Sequence, residues 1–356
     1  MRICISGAGE ISLVHVKGIN QIQNAEVVGI CDKYLTRAEM LGENCGNPKP
    51  FNDFEKMLDE QKPAVLHICT PPLLHYEQAK IAIDRGVNVI VEKPFTTNEK
   101  EARELYALAK ENGVKICPMY NLLYDKAMSE ISAIIKAGEI GNIVNVESYY
   151  GFNLGGDRSK YNLKGSTHWV FKTPGGHLQN IGPHILSSML AIIGTDNLTY
   201  NSIAVNSGSA PEGLYDEYRS VVVNGNITGY FTLSLNAQPY FNYINIYGTK
   251  KTVLYDISNW SYVVQSLSQK VPNAIARAWN NIRTGTKIVG ATLISCPLFL
   301  TGKLTHFTGM WELIRLFYEC VENDTPPPIS EELSISTVAG LETIDRQTRQ
   351  LSENRL

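Results

Sequence analysis

The stretch Val91-Glu92-Lys93-Pro94-Phe95 sets a lysine beside a proline at the end of an apolar run. Packing has no use for a lysine there, so the position reads as chemistry rather than as a surface pair with Glu92. An ammonium at the rim of a crevice can donate to a substrate oxygen and stabilise its alkoxide character. The proline restricts the backbone of the residue before it, which helps fix the direction of the lysine. Much later, Asn180-Ile181-Gly182-Pro183-His184 supplies an imidazole. Its ordinary pKa of about 6.5 suits taking and returning a proton at neutral pH. Oxidation of a secondary alcohol needs both groups, because a proton must leave oxygen as hydride leaves carbon. Lys93, His184 and Asn180 are therefore the candidate catalytic residues. Asn180 shares a face with His184 if the segment is helical. It can accept a hydrogen bond from the imidazole or bind a substrate hydroxyl, but it cannot lend the negative charge that would raise the basicity of His184. Pro183 leaves two geometries open, a helix starting near it or a helix begun near Pro174 and kinked.

A hydride acceptor has its own signature upstream. Ile3-Cys4-Ile5-Ser6 breaks into Gly7-Ala8-Gly9-Glu10-Ile11-Ser12, and a helical pattern follows. The first two glycines allow a tight turn and close approach of backbone to a pyrophosphate, and the helix N-terminus favours its negative charge. Ser12 takes the third position and is small enough to let helix pack on strand. Asp32, ending the next strand, can accept both ribose hydroxyls of an adenosine and would repel a 2′-phosphate. NAD is thus expected over NADP, although Lys33 and Arg37 stand close enough to meet a phosphate. Thr70-Pro71-Pro72 should wall the nicotinamide or the phosphates. His75 reads first as packing or capping in the following helix and is carried as a further contact. The expected cofactor set is Gly7, Gly9, Glu10, Ile11, Asp32, Thr70, Pro71, His75, Glu92 and Lys93.

These residues need a scaffold that brings strand ends together. Apolar runs at Arg2–Gly7, Val27–Asp32, Val65–Thr70, Val87–Val91 and Lys115–Pro118 alternate with helical stretches at Ile11–Ile22, Leu35–Cys45, Leu74–Arg85 and Asn98–Asn112. That alternation predicts βαβ units and a doubly wound parallel sheet, with Gly86 and Gly113 as helix stops. After Asn121 the texture changes. One helix, Lys126–Ala137, leads into alternating runs at Ile143–Tyr150, Tyr200–Val205, Tyr218–Val223, Ile227–Leu235 and Tyr243–Tyr247. Hairpin punctuation lies at Asn224-Gly225-Asn226 and Gly248-Thr249-Lys250. The prediction is α/β throughout: a Rossmann domain over residues 1–121, then a substrate-binding and oligomerisation α/β domain over 122–356 with a large, mostly antiparallel open sheet.

Gly7-Ala8-Gly9, Thr70-Pro71-Pro72-Leu73-Leu74-His75, Glu92-Lys93-Pro94 and Asn180-Ile181-Gly182-Pro183-His184 follow one another in an order that resembles the Gfo/Idh/MocA oxidoreductases, across nearly the whole chain. The resemblance implies NAD(P)-linked chemistry on a sugar or cyclitol carbinol, with the lysine and histidine at the reacting carbon, a lysine–proline bond that is often cis, and assembly as dimers or tetramers. The family commonly shows aspartate where Asn180 stands, although members acting at C3 of UDP-N-acetylglucosaminuronate look similar, with Asn-Ile-Gly-x-His. Leu123 replaces the arginine that commonly follows the asparagine matched by Asn121, which should still face the crevice. The loop from Gly151 to Pro174 carries Arg158, Lys160, Tyr161, Asn162, Lys164, His168, Trp169 and Lys172, a mixture suited to hydroxyl-rich or anionic ligands. Asn121, Lys164, Trp169, Asn180 and His184 are the expected substrate contacts, and a nucleotide sugar the favoured ligand. Two alternatives stay open: an enzyme that retains NAD as a transient oxidant for elimination, epimerisation or glycosidic cleavage, and a non-catalytic NAD and sugar sensor.

The 356 residues, 44% hydrophobic and 19% charged, are those of an ordinary globular protein, and the net charge of -3 exerts no pull on nucleic acid. Cys4, Cys31, Cys69 and Cys117 lie in apolar runs, and no metal or disulfide spacing appears. The N-terminus opens directly into a strand, so no signal peptide is expected and the cytoplasm is the expected compartment. Ile288 to Gly302 carries no charge and is flanked by Lys287 and Lys303. It is too short to span a bilayer and is interrupted by Pro297, which leaves a helix buried in a core or subunit interface, or one lying flat in a membrane surface with Arg277, Arg283 and Lys287 at the headgroups.

Overall fold

The computed structural model describes residues 1–154, 169–211, 213–266, 272–302 and 304–353. The chain forms two compact units, and the first is not one continuous stretch: Met1–Tyr124 is joined by Lys172–Pro174 and Phe307–Ala339. The return of Phe307–Ala339 to this unit was not foreseen by a division at residue 121.

In the first unit β1 (Arg2–Ser6), α1 (Glu10–Ile19), β2 (Glu26–Cys31), α2 (Leu35–Gly42), β3 (Lys49–Phe51), α3 (Phe54–Gln61), β4 (Val65–Ile68), α4 (His75–Asp84), β5 (Asn88–Val91), α5 (Glu99–Asn112) and β6 (Ile116–Pro118) follow in order. The six strands pair in parallel as β3-β2-β1-β4-β5-β6. Chain direction across the sheet therefore reverses between β1 and β4, the point where open α/β sheets take their ligands. Local chemistry sets the helix ends. Asp53 caps α3 by accepting from the Lys56 amide (3.0 Å), Asn98 caps α5 by accepting from the Glu101 amide (3.0 Å), and Gly113 stops α5 in the left-handed region. Because successive strand residues face opposite sides, the sheet has two cores. Cys4, Leu66, Ile68, Val89 and Val91 pack against α3, α4 and α5, while Ile3, Ile5, Val65 and Ile90 share the other face with Val16 and Ile19 of α1.

In the second unit α6 (Lys126–Lys136), β7 (Ile143–Asn153), α7 (His177–Ile193), β8 (Thr199–Val205), β9 (Glu217–Asn224), β10 (Ile227–Ser234), β11 (Asn236–Gly248), β12 (Thr252–Asp256), β13 (Ser261–Gln265) and α8 (Asn273–Leu300) follow. Then α9 (Thr308–Glu322) lays Met310, Leu313, Ile314 and Phe317 on the α1 face of the first sheet, and α10 (Glu331–Glu353) adds Ile335 and Val338 to that unit's other core. The seven-stranded sheet runs β13-β12-β11-β7-β10-β9-β8 and is antiparallel except between β7 and β10. One face is closed by α7, so tightly that a Cβ on Gly229 would meet Met189 Sδ at 2.4 Å. The opposite face is half-exposed and aromatic, with Tyr149 and Tyr243 stacked at 5.3 Å.

Gly7 has φ +89°, and a Cβ there would lie 2.7 Å from the Cys69 carbonyl oxygen, whereas nothing lies within 4 Å of a Cβ on Gly9. Gly7→Ala should cost about 2–4 kcal/mol in urea unfolding, since backbone cannot yield as a side chain can. Gly9→Ala should cost about 1 kcal/mol or less. Equal losses in the two variants would contradict this account of the turn.

Candidate functional site

The first unit gathers its polar groups at the carboxyl ends of adjacent strands. After β1, Gly7 donates its amide to Cys31 O (2.8 Å) and the chain enters α1, whose N-cap Gly9 has no side-chain cap. After β2, Asp32 accepts from the Ala8 amide through Oδ2 (2.8 Å) and from the Tyr34 amide through Oδ1 (2.9 Å). Each oxygen keeps a further lone pair for a hydroxyl. Ser12 is buried and donates to Gly7 O (2.6 Å), closing the turn onto the helix as its small side chain suggested. Uncapped helix start, open space over Gly9 and a carboxylate bonded to the turn itself fit a dinucleotide. Lys33 and Arg37 stand 5.4 and 5.0 Å from the ring of Tyr34, which is exposed.

After β4, Thr70 donates to Gln78 Oε1 (2.9 Å), an oxygen that also accepts from Ser6 (3.1 Å). After β5, the Glu92 amide bonds to Ile68 O (3.0 Å), and Lys93 precedes Pro94 through a cis bond. Lys93 is half-buried. Burial pushes its ammonium below the ordinary 10.5, against the pull of the Glu92 carboxylate.

Two residues expected at the cofactor are turned inward. His75 is fully buried, with its ring nitrogens facing the carbonyls of Pro94 and Thr70 at 2.8 Å each; the neutral ring donates its one N–H to one of the two, turned away from the crevice. Burial lowers its pKa, partly opposed by those carbonyls. Glu92 is buried too: Oε1 accepts from His15 Nε2 (2.9 Å) and Oε2 from the Lys93 amide (3.2 Å). Both residues shape the rim from beneath rather than facing the crevice. Asn121, also buried, opens a short 3-10 turn after β6.

Beneath Glu92 runs a chain of buried polar groups that sequence reading missed. His15 on α1 meets His67 on β4, Nδ1 to Nδ1, at 2.7 Å, and His67 Nε2 meets the hydroxyl of Tyr318 on α9 at 2.7 Å. Burial lowers an imidazole, but Cys69 and Glu92 beside His15 outweigh it and hold His15 up at about 10. Burial and the charge on His15 keep His67 well below 6.5. His15 as imidazolium then donates to both Glu92 and His67, and neutral His67 donates on to Tyr318, so that both nitrogens of each histidine are paired. Glu92, despite burial, is drawn below its ordinary 4.5 by His15, with Lys93 and His75 adding to the pull. The available signal was a histidine inside an otherwise apolar buried strand, which demands a partner.

In the second unit Asn180 and His184 lie on α7, an unbroken helix that begins at His177 and contains Pro183. Their four-residue spacing therefore does put them on one face. Asn180 is buried; the His184 ring stacks with Tyr150 of β7 at 6.5 Å and 16°, and Tyr240 donates to the Tyr150 hydroxyl (3.3 Å). Trp169 opens a short 3-10 turn and is half-buried. Lys164, with Arg158, Lys160, Tyr161, Asn162 and His168, lies outside the described residues.

Comparison with known proteins agrees with this two-part fold. Residues 1–120 match the oxidoreductase family with an NAD-binding Rossmann fold, GFO_IDH_MocA, and residues 128–254 match the GFO/IDH/MocA C-terminal domain. The chain is similar to D-glucoside 3-dehydrogenase of Escherichia coli K12, 27% identical over 54% of each chain. It is also similar to glucose-6-phosphate 3-dehydrogenase of Bacillus subtilis, 24% identical over 62% of this chain and 63% of that one. It thus spans about half to two thirds of the length of these relatives. In three dimensions it resembles the WlbA dehydrogenase of Bordetella pertussis, whose structure holds NADH and UDP-GlcNAcA, with a TM-score of 0.78 at 19% identity over 98% of this chain and 96% of that one. At that identity the likeness shows the fold.

The buried pair makes stability depend on pH with a defined sign. His15 is raised in the folded state, so its contribution is full below 6.5 and is lost as pH rises through about 10. Glu92 is lowered, so its share is full above 4.5 and is lost on acidification through its folded value. His15→Leu leaves the carboxylate buried without its partner. It should cost about 3–5 kcal/mol near neutral pH and should recover stability on acidification, as Glu92 protonates. Urea unfolding across pH measures this, and a variant that loses stability on acidification as the parent does would refute the pairing.

Proposed function

The chain belongs to the Gfo/Idh/MocA oxidoreductase family, and from that premise we propose that it oxidises a secondary alcohol of a sugar or nucleotide sugar, at C3 of a hexose unit, with NAD as the acceptor. The observation that carries the reading is the position of Lys93. It follows β5, two strands from the sheet's switch point, next to a Glu92 already committed to His15. The names of the sequence relatives, both 3-dehydrogenases, support the choice of carbon.

Bound NAD would supply the two-electron acceptor for the hydrogen on that carbon. Gly7 and Gly9 admit the pyrophosphate to the backbone, Glu10 and Ile11 begin the helix that favours its charge, and Asp32 takes the ribose hydroxyls. Thr70 and Pro71 line the same rim. Lys93, its ammonium destabilised by burial, donates to the reacting oxygen and stabilises negative charge there. His184 takes the hydroxyl proton, with its ring seated on Tyr150. Asn180, one turn earlier, binds a neighbouring hydroxyl or orients the imidazole. Asn121 and Trp169 are assigned to the sugar. Lys164 and the other cations of its loop suit a phosphate or carboxylate on the substrate.

The test is absorbance of reduced nicotinamide with D-glucosides, glucose 6-phosphate and UDP-N-acetylglucosaminuronate, using NAD and NADP in parallel. Growth with NAD is expected, and His184→Ala should lower kcat by about 10²–10⁴-fold while leaving NAD affinity unchanged. Lys93→Ala should lower kcat by about 10²-fold or more. Product without net absorbance would assign the protein to cofactor-retaining chemistry, and equal losses of kcat and NAD affinity in His184→Ala would remove that residue from the reacting carbon.

A further inference from the structure

The 28-residue helix α8 is about 42 Å long at the usual rise, yet only Ala276 along it is buried. Its inner side is fixed to the edge strand β13: Asn280 donates to Ser266 O (3.0 Å), and Gln265 donates to Thr284 Oγ1 (3.1 Å). Nearer its end, Phe299 touches Trp260 at 5.8 Å. The outward side carries Ile275, Trp279, Ile282, Val289, Leu293 and Leu300, spaced by threes, fours and sevens, which is one continuous stripe on a helix. These side chains are not tucked away, since Trp279 is 67%, Leu293 70% and Leu300 84% exposed. The segment is therefore not buried in this chain's own core, which leaves a subunit interface or a membrane surface of the readings open from sequence.

Two observations identify the surface that would cover it. From Ile288 onward the helix is apolar on every side, with Ile288, Ile294 and Phe299 also exposed. A partner helix covers one stripe, whereas a leaflet into which the helix sinks covers the stripe and the exposed apolar side chains on its flanks. The charge is one-sided as well: no acidic residue occurs between Asp256 and Glu312, while Arg277, Arg283 and Lys287 stand exposed on α8. A second copy would bring the same cations together with no carboxylate from this stretch to pair them. Lipid phosphates would pair them, and their long stems let the charges reach headgroups while the apolar stripe sinks below. No helix among the described residues is long and apolar enough to cross a membrane, so contact is with one leaflet.

We propose that α8 is a membrane-surface anchor that lays its Ile275-to-Leu300 stripe into an anionic lipid leaflet, with Arg277, Arg283 and Lys287 at the phosphates. This is independent of the sugar chemistry. The test is flotation of the full-length protein with vesicles of equimolar phosphatidylcholine and phosphatidylglycerol, and with vesicles of phosphatidylcholine alone. Binding to the mixed vesicles that weakens with added salt is expected. Leu293→Glu should reduce it by about 10-fold or more, because a charge replaces an inserted side chain. Arg283→Glu with Lys287→Glu should remove the preference for anionic lipid. Since these positions are exposed, thermal melting of the variants should match the parent and separates lost binding from lost fold. Absence of binding to mixed vesicles overturns the proposal. So does undiminished binding by Leu293→Glu, and so does a parent dimer that Leu293→Glu converts to monomer without either protein floating.

Discussion

A carboxylate with no access to water must be held by a cation or be protonated, and in this protein that constraint fixes the rim of the parallel sheet. Glu92 follows β5 and is buried; His15, reaching across from α1, makes its ionised form acceptable. The pair joins groups 77 residues apart in the sequence, and it lies below the residue proposed to touch substrate. With Oε2 of Glu92 accepting from the Lys93 amide, the backbone of that lysine is tied to a group that cannot move without exposing a charge to apolar surroundings.

The same logic runs outward through His67 and Tyr318. His67 replaces a hydrophobic residue in a strand buried on both faces, at a cost that only full satisfaction offsets. Its second nitrogen is satisfied by α9, from the part of the chain that rejoins the first unit more than two hundred residues later. This explains in part why Phe307–Ala339 is integral to the dinucleotide-binding unit. It covers the α1 face with Phe317 and Leu313, and it closes the polar chain that ends at Glu92.

What was legible in the sequence was what is local. The turn at Gly7, the carboxylate at Asp32, the Gly113 stop and the hairpin at Gly225 each follow from backbone requirements within a few residues, and each stands where those requirements put it. The edge strand β3 escaped because it is three residues long and contains Pro50. The N-cap position of α9, Phe307, has no side-chain cap, so its start carried no punctuation. His15, His67 and Tyr318 could not be joined from sequence, since their contacts depend on which faces α1 and α9 present to one sheet. Glu92 and His75 were assigned to the ligand for the same reason: a motif gives residue types in order, but not which of them face inward.

Pro183 shows how tertiary context decides between readings that the sequence leaves equal. A proline removes a helical donor and crowds the preceding turn, which argued for a start or a kink at that point. Of the two, α7 takes the helix begun near Pro174: it starts at His177 and runs through Pro183, and its neighbour Gly182 explains part of the tolerance, since a Cβ there would lie 2.5 Å from Leu341 and 3.3 Å from Leu178. The helix is held by α10 through Leu341 and by the sheet through Phe231 and the Met189–Gly229 contact. Packing over the length of α7 outweighs the loss of a single hydrogen bond. The consequence reaches the chemistry, because Asn180 and His184 keep one-turn spacing only if the helix between them survives its own proline. The glycine beside the proline is then as much a part of the His184 motif as the asparagine, since it gives α7 the close approach that keeps the helix whole.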